Sequence, residues 1–233
     1  MNTQRPEWND ANNALAGQGL SMVTLCHLRR FCAFLEGLIG TTDAQTFSMS
    51  RAVAHWATTL TPILESLEAS LADQGSPDDA SRWTAMRDLG LAAEQAREAL
   101  YAGEGWDQSS ITADSIRGLL SSTRRVCDAC LRDARRDDGL YESYRVLGLT
   151  DDQASVRPLG PMLEGQVAAL SSALLTPDQA CDLLDALFAS SLYRADQRTF
   201  MLAPRADLPP FMGRNVIPEP SIAASPALQR ALE

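Results

Sequence analysis

The stretch from Gly19 to Ile39 limits what this chain can fold into more than any other segment. Leu20, Met22, Val23, Leu25, Cys26, Leu28, Phe31, Phe34, Leu35 and Leu38 recur at helical steps, and only Arg29, Arg30 and Glu36 mark a narrow solvated strip. A helix that is apolar almost all round is stable in water only when neighbours cover most of its sides. The expectation is an inner helix of a two-layer helical array rather than one member of a simple bundle. The same three charges interrupt the run before it reaches the length of a membrane span, so no membrane partner is expected.

The rest of the chain reads as amphipathic helices. Residues 48–73 carry Val53, Trp56, Leu60, Ile63, Leu64, Leu67 and Leu71 at steps of three and four, with Pro62 removing one backbone bond inside the helix. Ser76-Pro77-Asp78-Asp79 reads as a capped start of a third helix to about Tyr101, and Thr112 caps a fourth to about Arg136. Residues 138–161 read as irregular, with short extended pieces around Tyr144 to Leu147. Met162 to Leu175 is a fifth helix, and the capping box Thr176-Pro177-Asp178-Gln179 opens a sixth, to about Ser190. Pro204, Pro209, Pro210, Pro218, Pro220 and Pro226 forbid regular helix beyond that point, apart from a last short one at 226–232. The predicted organisation is an all-α domain over 1–203 followed by an extended Pro-rich tail over 204–233.

A formal charge of −10 and a pI near 4.7 argue against nucleic acid as a partner, since phosphate binding needs a basic footprint. No charged n-region followed by an apolar h-region opens the chain, and a cytoplasmic location is the expectation. Five cysteines without a secretory context give no disulfide framework. Cys127-Asp128-Ala129-Cys130 spells CxxC, but both thiols fall on the apolar stripe of the fourth helix and no second ligand pair accompanies them. They read as core, as do His27 and His55 inside their helices, so no metal and no cofactor is expected.

The segment Glu7-Trp8-Asn9-Asp10-Ala11-Asn12-Asn13 carries two carboxylates, an indole and three amides just ahead of Gly17 and Gly19. Carboxylates move protons, an indole face stacks on a pyranose ring, and amides hydrogen-bond hydroxyls, which together make the equipment of a sugar site. Taken singly, Glu7 and Asp10 also suit helix capping, Asn12 and Asn13 suit turns, and Trp8 suits a staple onto the core.

In its order of residues this segment resembles the Asp-Trp-Asn-Asp-Gly-Met-Asn signature of cellobiose phosphorylase and its relatives, including the phosphorylase-like part of cyclic β-1,2-glucan synthases. In both, Gly, Ser and an apolar helix follow, here Gly17-Gln18-Gly19-Leu20-Ser21-Met22-Val23. The segments Met162-Leu163-Glu164-Gly165-Gln166-Val167-Ala168 and Tyr193-Arg194-Ala195-Asp196-Gln197 also look like those of large bacterial proteins of this (α/α)6 glycosidase type. The resemblance implies part of an (α/α)6 toroid and an inverting attack on a β-glucoside. Asp10 would be the general acid, Trp8 would stack on the sugar, and Asn9 and Asn13 would fix hydroxyls or orient the acid. Glu164, or Glu7, would serve as the second carboxylate of a hydrolase, set across a gap of roughly 6.5–9.5 Å; in a phosphorylase, inorganic phosphate takes that place. Glu7 stands where the family has Asp, and Ala11-Asn12 where it has Gly-Met. The implied partners are an oligosaccharide or glucan substrate, inorganic phosphate, and the remainder of the barrel, since six or seven helices are half of the twelve that close it. A second class of reading is a non-catalytic helical interaction module whose inner helix docks a partner.

Overall fold

The computed structural model describes residues 2–3, 18–74, 77–204 and 210–232. The chain is mostly helical, as the periodicity predicts. Four long helices carry the fold: α1 (Met22–Gly40), α2 (Arg51–Gln74), α3 (Asp79–Tyr101) and α4 (Ala113–Asp133). Two shorter ones follow, α5 (Leu163–Ser171) and α6 (Pro177–Ala189). Their starts are fixed by side-chain caps. Ser21 Oγ accepts from Thr24 N at 3.0 Å, and Thr112 Oγ1 accepts from Ser115 N at 3.1 Å. Thr176 and Gln179 form the reciprocal box that their spacing predicts. At α3 the cap is Asp78 rather than Ser76, its Oδ1 accepting from Ser81 N at 2.7 Å.

Alongside the helices run small antiparallel sheets; the extended piece expected around Tyr144 to Leu147 is one of their strands, and the sequence pattern does not announce the others. One sheet has the order β1-β2-β5-β6, built from β1 (Asn2–Thr3), β2 (Gly19–Ser21), β5 (Tyr144–Leu149) and β6 (Ala154–Pro158). A second pairs β3 (Thr46–Ser50) with β4 (Gln108–Thr112), and a third is the hairpin of β7 (Tyr193–Arg194) and β8 (Thr199–Phe200). In the described part of the tail, α7 (Phe211–Arg214) and α8 (Glu219–Ala223) depart from a purely extended reading, whereas α9 (Pro226–Ala231) is the last short helix expected at 226–232.

The core lies where α1 packs on α4. Met22, Leu25 and Cys26 meet Cys127, Leu131 and Ala134 at one end, and Cys32 and Ile39 meet Ala113 and Leu120 at the other. A neighbouring cluster of Leu140, Tyr141, Ala169, Leu183, Leu187 and Leu192 binds α5, α6 and the hairpin together. The three charges of α1 are not a solvated strip. Arg29 is buried, its Nε donating to Asp128 at 2.8 Å and its Nη1 to the carbonyls of Ser172 and Ala173 at 3.1 and 2.9 Å. Glu36 is half-buried against Arg124 at 2.8 Å, and only Arg30 is exposed. Nor is the helix covered on most sides. Phe31, Phe34 and Leu38, one turn apart on a single face, are 55%, 61% and 54% exposed. No helix among the described residues is long and apolar enough to cross a membrane.

Candidate functional site

Five of the six site residues expected from the sequence, Glu7, Trp8, Asn9, Asp10 and Asn13, lie outside the described residues. Their flanks lie within them. Asn2 pairs with Leu20 and Thr3 with Gly19, so the ends of the segment that carries the motif are held side by side at a sheet edge. The next strand inward is β5: Ser21 pairs with Tyr144, and Met22 N donates to Ser143 O at 2.9 Å. The motif segment thus leads through β2 directly into the capped start of α1.

Glu164, the sixth expected residue, sits on the first turn of α5. Gly165 makes its position possible. A Cβ at 165 would collide with Ser143 Oγ and crowd the Glu142 carbonyl, whereas the bare backbone N–H approaches Ser143 Oγ and donates to it at 2.8 Å. Gln166, fully buried, then locks α5 onto β5's approach, its amide bonding Tyr141 N, Tyr141 O and Met162 O at 2.7–2.8 Å. With the two elements pressed together, Tyr144 Oη donates to Glu164 Oε2 at 2.7 Å. A phenol donor of this kind fixes the carboxylate's orientation.

Glu164 opens onto a groove of about 340 Å³ between α1 and α5, lined also by Val23, His27, Val167, Ser171 and Leu202. Leu163 N donates to Leu202 O at 2.8 Å, which ties the segment after the hairpin to the start of α5 beside this groove. His27, read from the sequence as core, is exposed here instead; it faces the groove because Leu25 and Cys26 take the buried side of α1. A carboxylate and an imidazole on the walls of an otherwise apolar groove can position hydroxyls and accept a proton from a bound water. Tyr144 and His27 are the members that sequence reasoning missed. Tyr144 was visible only as part of an extended piece, and the exposure of His27 depends on which face of α1 remains uncovered.

Cys127 and Cys130 behave as core, as do Cys26 and Cys32. Burial pushes the Cys26 thiol up to about 11 and the Cys127 thiol up to about 12, and raises Cys32 and Cys130 as well. Among the described residues no three His, Cys, Asp or Glu side chains come together as a metal site. Iodoacetamide on the native protein at neutral pH is expected to alkylate only the exposed Cys181, with the other four reacting after denaturation; peptide mass mapping reads the pattern. Early labelling at Cys127 would contradict the burial described.

Compared with known proteins, the chain matches no family model and no curated protein.

Proposed function

We propose that this chain is part of a carbohydrate-active protein that works on β-glucosides by an inverting, glycosidase- or phosphorylase-like attack, its helices forming part of an (α/α)6 toroid. The observation that carries the reading is the junction at β2. The motif segment enters the fold there, one strand away from Tyr144, and Tyr144 holds the carboxylate of Glu164 on the edge of an open groove. In this reading Asp10 protonates the leaving oxygen and Trp8 stacks on the ring. Asn9, Asn13 and Glu7 hold hydroxyls, while Glu164 activates water unless inorganic phosphate is the nucleophile. The exposed face of α1 is where the remainder of the toroid would pack.

Asp10→Asn is the direct test of the acid role. Loss of a positioned general acid lowers the rate by about 10²–10⁴-fold, so cleavage or phosphorolysis of a β-glucoside should fall by that factor in the full-length protein. An unchanged rate would remove Asp10 from the mechanism. The face of α1 bearing Phe31, Phe34 and Leu38 also supports the second reading, a helical interaction module, because an exposed apolar stripe of this kind marks a contact surface. That reading predicts that Trp8→Ala and Asp10→Ala leave every ligand affinity intact.

A further inference from the structure

A second concavity lies beside β2 and shares no lining residue with the groove. It measures about 210 Å³ and sits where the four-stranded sheet meets the long helices. Leu20 and Val156 line it from the sheet, Leu25 from α1, Leu67 from α2, and Met86 and Leu89 from α3. None of these side chains carries a hydrogen-bonding group, and the Cys130 thiol beside them is held protonated by burial. One wall is polar. Arg82 donates to Asp79 Oδ1, to Ala154 O and to Pro77 O, and its Nε–H is committed to none of these. Arg145 is engaged by Glu142 and by Asp133.

We propose that this pocket binds a neutral, unbranched aliphatic molecule, with its chain among the leucines and methionines and a single oxygen acceptor at Arg82. Three features define that chemistry. Size comes first: a dry apolar cavity of about 150 Å³ accommodates benzene, so this larger one accommodates an aliphatic chain of about six to eight carbons. Shape comes second, because leucine and methionine side chains adapt to a flexible chain better than to a rigid ring. The head group follows from charge. Two guanidinium groups, Arg82 and Arg145, face three carboxylates, Asp79, Asp133 and Glu142. Each guanidinium is already paired with at least one carboxylate, so the wall offers a donor to a hydroxyl or carbonyl and no unpaired cation to a carboxylate head.

The probe is 1-octanol, titrated into the whole chain while the methyl resonances of Met22 and Met86 are followed by NMR. The expected result is a saturable shift of both methyls, with nuclear Overhauser contacts from Met86 to the octanol chain. Ala85→Phe and Val156→Phe, which fill the pocket from α3 and from the sheet, are expected to abolish the shift. The Overhauser contacts need no substitution, so they decide the matter even where a variant fails to fold. Absence of a saturable shift in the folded wild type, or an equal shift in both filled variants, overturns the proposal. Octanoate binding more tightly than 1-octanol overturns the neutral head group.

Discussion

Arg29→Met is expected to destabilise the fold by about 3–5 kcal/mol, the usual cost of leaving a buried charge without its partner. Arg29 joins three elements at once: α1 through its own backbone, α4 through Asp128, and the end of α5 through the carbonyls of Ser172 and Ala173. Its side chain and that of Asp128 are 10% and 11% exposed, so water cannot take over the lost bonds. Arg124, 3.9 Å from Asp128, is too far away to replace the short contact at 2.8 Å. The segment it holds is itself unusual, since Ala173 adopts a left-handed backbone at φ 59° that a non-glycine residue occupies at a cost. The double variant Arg29→Met/Asp128→Leu is expected to recover most of the loss, because an apolar pair of similar volume removes the orphaned charge. Urea unfolding of the three proteins reads both effects. A single variant within about 1 kcal/mol of wild type would show that the pair is not buried as described.

Alkaline pH is expected to weaken the fold by a similar amount. The chain contains no lysine, so between pH 9 and 12 the groups that change charge are thiols and phenols. Cys26 and Cys127 have folded values of about 11 and about 12 against a reference of 9.0. The unfolded chain therefore loses these protons first. With more protons bound to the native state than to the unfolded one, stability falls as pH rises above the unfolded value and stays level below it. Each thiol removes about 1.4 kcal/mol per pH unit in that window, or on the order of 5 kcal/mol for the pair by pH 11. The raised Tyr141 phenol acts in the same direction. Urea midpoints should be level from pH 7 to 8.5 and drop steeply by pH 10.5, with a shallower drop in Cys127→Ala. A midpoint that does not change up to pH 10.5 would contradict the burial of both thiols.

The helices were legible because each carries its own periodicity and punctuation. Thr112 and Thr176 cap where their sequences place them, and α2 runs through Pro62 without losing its apolar stripe. The β3–β4 ladder was not legible. Thr-Phe-Ser-Met-Ser and Gln-Ser-Ser-Ile-Thr are too short and too polar to announce strands, and each is stabilised by a partner far away in sequence, Thr46 opposite Thr112 and Phe47 opposite Ile111. The burial of Arg29 was hidden for a related reason. Its partners are Asp128 on α4 and two carbonyls beyond α5, and nothing within α1 distinguishes it from the exposed Arg30 beside it. Of the candidate site, Glu164 could be read from its motif, whereas its bond to Tyr144 and its nearness to His27 arise only when α5 closes on β5 at Gly165.

Isothermal titration of the chain with cellobiose and with short β-1,2- and β-1,3-glucans, with and without phosphate, tests the carbohydrate reading most directly when it is repeated on Trp8→Ala. The account predicts saturable heat from at least one of these saccharides and its loss in the variant. No heat from a demonstrably folded sample, or the same heat from Trp8→Ala, would contradict it.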